Sequence, residues 1–374
     1  MTWLAPGGGV DRNVHLTITD LKDEFDFHLA VGKDISANDF QNIEGLPIHI
    51  CNDLGRTLKP WKDLKSLFYF YRLIKKEKYD IVHTHETKAS LISRVAAWMA
   101  GCSYIIYGLH GVTINDPLSR MRRLIYILIE RMTIWMCDAV VSVSQTTLDI
   151  YHDHNLGKKI PSVVAYSGID TKSFTETKPS ETERLERRKK IGLSPTDMVI
   201  VNIGRFSFSK AQRYTIESFA AIKKLHPEAK LLLVGEGELM DDCKNLVASF
   251  GLEKDVVFYG YSEDVAPLLH ISDLMVLTSL REGLPRVVVE ASLCRIPTVA
   301  FEVEGIREII LPEFHEFIVP QTDVDQLTKQ TLKMMESKAL QERFVNACYV
   351  HAVKNWDYKA MTAKLRRIYN EKKV

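Results

Sequence analysis

Two acidic residues, Glu282 and Glu290, lie eight positions apart in the apolar segment REGLPRVVVE (281–290). Pro285 suits the first turn of a helix that the following residues can continue. We therefore predict that Glu282 lies just before the N-terminus of this helix. Glu290 would lie more than one turn inside it, with its Cβ directed back toward the same end. The alternative is an unrelated pair, one acid on the surface and one capping the helix.

The segment GRFSFSK places two cations, Arg205 and Lys210, after Gly204, which ends an apolar run. Arg offers a planar fork and Lys a point charge, and both suit a diphosphate. A helix N-terminus also binds anions, whereas carboxylates bind hydroxyl groups. Together the two segments indicate a nucleotide-sugar, with one acid for the sugar, one for the ribose and the diphosphate between them. Two ordinary surface cations in a loop are the alternative.

Three histidines of the first half, His83, His85 and His110, follow or end β-rich runs. His83 and His85 share one face of their strand, but no third metal ligand is near them in sequence, so we predict no zinc site. His110 is the better functional candidate because Gly111 beside it opens the strand end to a ligand. The alternative is a core histidine that is hydrogen-bonded to the backbone.

Three consecutive glycines, Gly7 to Gly9, follow a short β-rich run (TWLA) and precede a helical pattern. Gly8 and Gly9 would let the backbone approach a ligand at an anion-binding helix N-terminus. A flexible turn is the alternative. The run does not match the G-x-G-x-x-G fingerprint, which argues against a nicotinamide-dependent oxidoreductase.

Apolar, β-rich runs alternate with helical patterns through both halves of the chain. In the second half the runs are 198–204, 229–235, 255–261, 274–279 and 297–303. In the first half they are 25–32, 46–53, 79–85, 104–111, 139–144 and 162–168. Continuous rather than alternating hydrophobicity predicts strands of parallel sheets covered on both faces. We predict an α/β protein with two Rossmann-like domains, whose ligands bind at the carboxyl ends of the strands.

The length of 374 residues suits two domains rather than one core. We predict an N-terminal acceptor-binding domain at 1–168, a C-terminal nucleotide-sugar-binding domain at 169–350, and a C-terminal helix within 351–374 that packs back on the N-terminal domain. The polar segment 175–190 is interpreted as a linker that leads into a solvated helix.

Composition excludes several classes of protein. A net charge of +1 argues against a nucleic-acid binder. The six scattered cysteines indicate free thiols in a reducing compartment, and no signal peptide is visible, so we expect a cytoplasmic protein. The longest apolar segment, 124–136, is interrupted by Glu130 and Arg131 and is too short to span a bilayer.

The motifs together resemble the retaining glycosyltransferases of family 4 (GT4), which have the GT-B fold. SLREGLPRVVVEASLCRIPTVA is similar to their E-x7-E signature, GRFSFSK to their G-R-x4-K loop and YSGIDTKSF to their N-G-V-D-x-x-x-F hinge. DIVHTHETKASLISRVAA and PGGGVDRN match the pattern of the first domain, so the resemblance covers nearly the whole chain. It implies two Rossmann-like domains that face each other across a donor/acceptor cleft.

The resemblance also implies an activity: transfer, with retention, of a hexose or N-acetylhexosamine from a nucleotide-sugar, such as a UDP-sugar, to an acceptor hydroxyl in bacterial surface polysaccharide or glycolipid assembly. No metal or other cofactor is implied. The implied catalytic residues are Glu282, Arg205, Lys210 and His110. The implied donor-binding residues are Gly8, Gly9, Gly204, Tyr261, Gly283, Leu284, Pro285, Val287 and Glu290.

Each residue has an implied role. Glu282 would contact hydroxyls of the transferred sugar and Glu290 those of the ribose, while Arg205 and Lys210 would neutralise the leaving diphosphate. His110 would lie beside the sugar. In the donor-binding set, the backbone near Tyr261 would meet the base, and the Gly8–Gly9 backbone would lie near the phosphate and the acceptor.

The sequence departs from the family pattern at two places near the implied donor site. Glu304 stands where the G-G-x-x-E motif usually has its first Gly, although Gly305 and Glu308 remain. EFHEFIVP (313–320) replaces the usual G-x-x-G-L-L-V. Both departures bear on the preference for sugar or base rather than on the class of reaction.

The implied acceptor domain contains two segments, 65–79 and 119–136, that combine cations with aromatic and aliphatic residues. Such segments could contact an anionic membrane near a lipid-linked acceptor, at the inner face of the cytoplasmic membrane. The alternative is a pair of core helices with solvated charged faces. For the function itself, the alternatives are a nucleotide-sugar epimerase or hydrolase of GT-B architecture and a non-catalytic binding partner.

Overall fold

A computed structural model describes residues 8–32, 38–55, 57–112 and 120–371. The chain divides into two compact units, residues 1–169 together with 358–374, and residues 170–357. The boundary that we predicted at residue 351 lies within the helix Lys338–Asn355, which belongs to the second unit. No Pro or Gly interrupts this helix, so it continues to Asn355 and the units change at Tyr358.

The strands of the first unit are all paired in parallel. β1 (Leu29–Gly32) pairs with β2 (Ile48–Cys51). A separate sheet has the order β3-β4-β5-β6, formed by Ile81–His85, Tyr104–Leu109, Ala139–Ser142 and Ser162–Val164. The six strands predicted from the apolar runs of the first half are therefore confirmed. The short run TWLA lies outside the described residues. The helices among the described residues before position 170 are α1 (Gly9–Leu21), α2 (Asn38–Gln41), α3 (Pro60–Glu77), α4 (Thr87–Ala100), α5 (Arg120–Thr133) and α6 (Gln145–Asp153).

A buried ion pair joins α4 to α5. The Arg94 guanidinium contacts the Glu130 carboxylate, and the two side chains are 0% and 2% exposed. Arg94 also donates to the Thr133 hydroxyl at 2.7 Å, and the Tyr126 hydroxyl donates to Glu130 at 3.3 Å. These contacts determine which side of α5 faces the interior, because they tie three of its residues, Tyr126, Glu130 and Thr133, into the network around Arg94.

The C-terminal helix of the chain, Tyr358–Asn370, completes the first unit. Lys359 and Thr362 both bond the carboxylate of Asp20 on α1. The Tyr369 hydroxyl lies 2.8 Å from Nδ1 of His83. Met361, Leu365 and Ile368 of this helix join a buried apolar cluster that also contains Leu21 of α1.

The second unit is built on a six-stranded parallel sheet of order β12-β11-β10-β7-β8-β9. Its strands are β7 (Met198–Ile203), β8 (Ala229–Val234), β9 (Val256–Gly260), β10 (Leu274–Leu277), β11 (Thr298–Phe301) and β12 (Ile318–Val319). The five predicted strands are confirmed. The two-residue edge strand β12 was not predicted, because so short a run carries no recognisable period.

Ten further helices belong to the described part of the second unit and of the C-terminus. They are α7 (Thr171–Thr175), α8 (Glu181–Lys190), α9 (Gln212–Leu225), α10 (Met240–Ser249), α11 (Ala266–His270), α12 (Arg286–Leu293), α13 (Ile306–Ile309), α14 (Val324–Glu336) and α15 (Lys338–Asn355), followed by α16 (Tyr358–Asn370). The three consecutive valines of α12 are helical, as predicted, despite their preference for strands.

Helix α8 confirms the helix predicted after the linker, and its side chains are exposed or half-buried except for that of Arg188. Arg188 is 1% exposed and donates to Asp273 at 2.7 Å and to the carbonyl of Ile271 at 2.9 Å. Arg184 donates to the same Asp273 carboxylate at 2.7 Å. A highly charged sequence thus supplies a buried arginine, which joins α8 to the segment before β10.

Within the described residues, the structure has no helix long and apolar enough to cross a membrane.

Glu130→Ala is expected to lower the free energy of unfolding by about 3–5 kcal/mol, because it leaves the Arg94 charge buried without its partner. Chemical denaturation followed by tryptophan fluorescence measures this loss. Glu24→Ala, which removes the exposed ion pair with Arg366, is the control and is expected to leave the free energy of unfolding nearly unchanged. Equal losses in the two variants would contradict a structural role for the buried pair.

Candidate functional site

An ion pair links the loops that follow two neighbouring strands of the second unit. Lys210 follows β7 and Glu282 follows β10, and these strands are paired in the sheet. The Lys210 ammonium lies 2.5 Å from Oε1 of Glu282, and the two side chains are 27% and 11% exposed. The structure thus brings together an acid and a cation that were singled out separately in sequence, at the strand ends where ligands bind in such sheets.

Backbone contacts hold the same two loops together. The Leu280 N–H donates to the carbonyl of Ser209 at 2.7 Å. The Thr278 hydroxyl donates to the carbonyl of Lys210 at 3.2 Å. The backbone on either side of the ion pair is therefore fixed without any contribution from the ion pair itself.

Gln212 supports the loop after β7 and was not predicted. Its side-chain amide donates to the carbonyls of Gly204 and Arg205, at 3.0 and 3.1 Å. Nothing in the sequence marks Gln212, because a glutamine at the start of a helix ordinarily faces solvent. Here its side chain is buried (2% exposed) and holds the loop in place.

Arg205 does not join the Lys210–Glu282 pair. Its guanidinium lies 3.3 Å from the carboxylate of Glu238, in the loop after β8, and both side chains are about half exposed, at 52% and 55%. Exposed pairs of this kind contribute little to stability, about 0–1 kcal/mol. The guanidinium can therefore leave Glu238 at little cost.

The loop after β8 lies directly against Gly204. Gly235 has a φ of +134°, and a Cβ at this position would lie 2.2 Å from the carbonyl oxygen of Gly204. The Gly235 N–H donates to the carbonyl of Gly260 at 2.8 Å. Tyr261, which follows Gly260, is 51% exposed. This close approach of the Gly204 carbonyl requires glycine at position 235. The requirement was not predicted from the sequence.

Gly305 and Glu304 support the segment that precedes α12. Gly305 has a φ of +76°, and a Cβ there would lie 3.0 Å from the Gly283 carbonyl oxygen and 2.9 Å from Cδ1 of Leu284. The carboxylate of Glu304 accepts a hydrogen bond from the Glu282 N–H at 3.4 Å. The residue that departs from the family pattern therefore contacts the backbone of the central acid.

Helix α12 begins at Arg286. Pro285 was predicted in the first turn of this helix, but it is the N-cap, one position earlier, because its backbone angles (φ −74°, ψ 82°) are not helical. Glu282 lies in the preceding loop and Glu290 within the helix, where it is 5% exposed. Val287 is half-buried, whereas Val288 and Val289 are fully buried against the core.

The remaining predicted site residues lie in the first unit. Gly8 is the N-cap of α1 and Gly9 is its first residue. His110 follows β4, and its Nε2 lies 2.8 Å from Nδ1 of His85, a partner that was not predicted. A Cβ at Gly108 would lie 2.7 Å from His85 Nδ1 and 3.2 Å from His110 Nε2, so this contact requires glycine between the rings.

Burial keeps both of these histidines neutral near pH 7. It lowers the pKa of His110 from 6.5 to about 4. Burial, together with the neighbouring His83 and His110, also lowers the pKa of His85 well below its usual value. One ring nitrogen must therefore donate and the other accept across the 2.8 Å contact.

No group of three or more His, Cys, Asp or Glu side chains that could hold a metal ion is found among the described residues.

The free energy of unfolding is expected to fall as the pH decreases from 6.5 toward about 4. In this window the unfolded chain binds a proton at His110 that the folded state does not bind, so acid favours unfolding. His110→Gln should reduce this slope, as measured by denaturation at several pH values. His152→Gln on α6 is the control, and an unchanged slope in His110→Gln would contradict the assignment.

Models of known families match both halves of the chain. The model described as "Glycosyltransferase Family 4" matches residues 7–173, and that described as "Glycosyl transferases group 1" matches residues 183–351. Together the two matches cover most of both units.

Two curated relatives align with about three quarters of the chain. One is the UDP-Gal:alpha-D-GlcNAc-diphosphoundecaprenol alpha-1,3-galactosyltransferase of Escherichia coli, 28% identical over 77% of this chain and 74% of its own length. Another is the N-acetyl-alpha-D-glucosaminyl L-malate synthase of Bacillus anthracis, 28% identical over 75% of this chain and 72% of its own length.

A solved structure with the same fold is that of Anabaena HepE in complex with UDP. It superposes with a TM-score of 0.82 at 19% identity, and the match covers 99% of this chain and 98% of HepE. The likeness establishes the GT-B architecture of two Rossmann-like domains. With both halves matched by models of one kind of enzyme, and with relatives and fold in agreement, the chain belongs to the family 4 glycosyltransferases.

Proposed function

We propose that the protein is a retaining glycosyltransferase that moves a hexose or N-acetylhexosamine from a UDP-sugar to a hydroxyl of a lipid-linked sugar acceptor. The observation that carries the proposal is the Lys210–Glu282 pair, which lies at the carboxyl ends of β7 and β10 and just before the N-terminus of α12. This arrangement offers a cation and helix N–H groups for a diphosphate, and a carboxylate for sugar hydroxyls.

In the structure, Lys210 and Glu282 neutralise each other. On donor binding, Lys210 would turn to the diphosphate and Glu282 would accept hydrogen bonds from the sugar hydroxyls. Arg205 would leave its exposed pair with Glu238 and add a second positive charge. Each charged group thus exchanges a protein partner for a ligand partner, so none is left buried without compensation.

The chemical step breaks the bond between the anomeric carbon and the diphosphate oxygen, and negative charge develops on the leaving UDP. Lys210, Arg205 and the first amides of α12 stabilise this charge electrostatically. The acceptor oxygen forms its bond to the anomeric carbon on the face that UDP leaves, which retains the configuration. Because the acceptor attacks this face directly, no enzyme carboxylate acts as a nucleophile. The acceptor's proton passes to the leaving phosphate, so no enzyme carboxylate is needed as a general base.

The remaining site residues of the second unit complete its donor-binding site in this proposal. Glu290 binds the ribose hydroxyls, and the backbone at Tyr261 meets the base. The Gly204, Gly283 and Leu284 backbone, Pro285 and Val287 line the rest. In the first unit, we propose that His110 binds a sugar as a neutral imidazole and that the Gly8–Gly9 backbone binds a phosphate or the acceptor.

Uracil as the base and a lipid-linked acceptor are supported by the comparisons. HepE has been crystallised with UDP, with UDP and glucose, and with UDP-glucose. The E. coli relative is named for UDP-Gal as donor and for a diphosphoundecaprenol-linked sugar as acceptor. An acceptor of this kind would place the protein at the inner face of the cytoplasmic membrane, in the assembly of surface polysaccharide or glycolipid.

Catalysis in this proposal uses no bound metal, because Lys210, Arg205 and the helix amides supply the positive charge. The alternatives are a GT-B epimerase or hydrolase and a non-catalytic binding partner. A panel of nucleotides and UDP-sugars, screened by thermal shift and then by UDP release in the presence of EDTA, distinguishes them. UDP release that requires an added acceptor supports a transferase, whereas an epimerised sugar or no turnover with any donor contradicts it.

Lys210→Ala and Glu282→Gln are each expected to lower kcat by about 100-fold or more, because each removes a group that interacts with the transition state. Lys224→Ala, at an exposed cation of α9, is the control and should retain full activity. Activity is measured as UDP release, and thermal unfolding shows whether each variant folds. Turnover close to that of the unmodified protein in either site variant would refute the assignment.

Glu304→Ala is expected to lower kcat up to about tenfold, because it removes the acceptor for the Glu282 N–H. Glu304→Gln keeps an acceptor oxygen and should retain most of the activity. Glu302→Ala, at the exposed partner of Arg307, is the control. If the Ala and Gln variants lose activity equally, the hydrogen bond does not position Glu282 and the negative charge itself is what matters.

A further inference from the structure

Helix α5 of the first unit presents a continuous apolar surface to solvent. Its exposed apolar residues recur at intervals of three and four and therefore lie along one side of the helix. Leu124, Leu128 and Met132 are 63%, 58% and 62% exposed. We name this surface the outward face of α5, and its residues are Met121, Leu124, Ile125, Leu128, Ile129 and Met132.

The opposite side of α5 carries the polar groups. Glu130 is buried in its pair with Arg94, and Tyr126 donates to Glu130 at 3.3 Å. Thr133, at the end of the helix, accepts from Arg94 at 2.7 Å. Rotating the helix to bury its leucines would break the buried ion pair, which is strongly unfavourable. The structure therefore holds the apolar side of α5 toward solvent.

Two tryptophans lie next to the outward face. Trp135 lies two residues after the end of α5 and Trp98 lies in the last turn of α4, and their rings meet edge to face with centroids 5.4 Å apart. Both are exposed, at 58% and 49%. Tryptophan is enriched where a protein meets the boundary between lipid and water, since its ring is apolar and its N–H is polar.

The charge around this face is positive. The sequence of α5 contains four arginines and a single acid, Glu130, whose charge is already paired inside the protein. Arg131 borders the outward face, is exposed and donates to the carbonyl of His154 at 3.0 Å, whereas Arg123 lies two turns before Glu130, on the opposite side of the helix. An apolar face beside an exposed arginine, on a helix whose one acid is paired internally, is complementary to a surface of apolar chains under anionic headgroups.

We propose that the outward face of α5, with Trp98 and Trp135, docks the protein on an anionic lipid bilayer. The inference rests on the proposed function in one respect: a lipid-linked acceptor explains why such docking would be useful. A second copy of this chain suits the face less well, because a two-fold contact would bring the same arginines of both copies together.

Vesicle flotation tests the proposal without donor, acceptor or turnover. The unmodified protein is expected to float with vesicles of phosphatidylcholine and phosphatidylglycerol, and more weakly with phosphatidylcholine alone. The double variant Leu124→Gln/Leu128→Gln should bind the mixed vesicles about tenfold more weakly or worse. Arg131→Glu should lose about tenfold on the mixed vesicles and little on phosphatidylcholine alone.

Matched controls come from equally exposed residues of the second unit. Leu225→Gln/Val350→Gln removes two apolar side chains that are 66% and 65% exposed, and Arg213→Glu reverses an exposed arginine on α9. Both controls should float like the unmodified protein. Thermal unfolding with and without UDP shows that each variant folds and still binds nucleotide, so a failure of docking is separable from a failure of the proposed activity.

Two results would overturn the proposal. One is equal flotation of the Leu124→Gln/Leu128→Gln variant and its control. The other is a chain that ignores vesicles but forms a dimer by light scattering, which the same double variant converts to a monomer. The second result would assign the outward face to a contact between copies of the chain.

Discussion

The ion pair between Lys210 and Glu282 limits which ligands the strand ends of the second unit can bind, because it holds two opposite charges together there. It joins two loops that are 72 residues apart in sequence, and it keeps a cation and an anion next to each other in a partly buried place. Neither group tolerates the loss of its partner without a replacement. A ligand that separates them must therefore supply both a negative charge and hydrogen-bond donors. A sugar attached to a diphosphate meets both conditions, whereas a free sugar supplies no negative charge.

Much of this architecture could be predicted from the sequence because its signals are local. Fully buried parallel strands produce continuous apolar runs, and the valine run of α12 is placed by the Gly-Leu-Pro that precedes it. The details that escaped prediction depend on partners far away in sequence. Arg188 belongs to a highly charged helix and is buried only because Asp273, 85 positions later, accepts its charge. Gly235 is required only because the Gly204 carbonyl lies against it.

The same contrast between local signals and distant partners holds for the candidate site. Its acids and cations could be identified from residue type and spacing, whereas the residues that hold them in place could not. Gln212 bonds two carbonyls of the preceding loop, and Glu304 bonds the backbone of Glu282. Both contacts are made by side chains that could equally face solvent, so no period or composition marks them. In the first unit, the contact between His85 and His110 depends on Gly108 in the neighbouring strand, and strand registers of that kind are fixed only in three dimensions.

The return of the last helix to the first unit has a consequence for how the protein is made. Lys359 bonds Asp20 across 339 positions of sequence, and the cluster around Leu21 is closed by Met361, Leu365 and Ile368. During synthesis, the second unit can fold as soon as it has left the ribosome. The first unit, although most of it is translated earlier, keeps this apolar side of α1 uncovered until residues 358–370 have emerged. It is therefore completed after the second unit, and termination before Tyr358 leaves the cluster around Leu21 open.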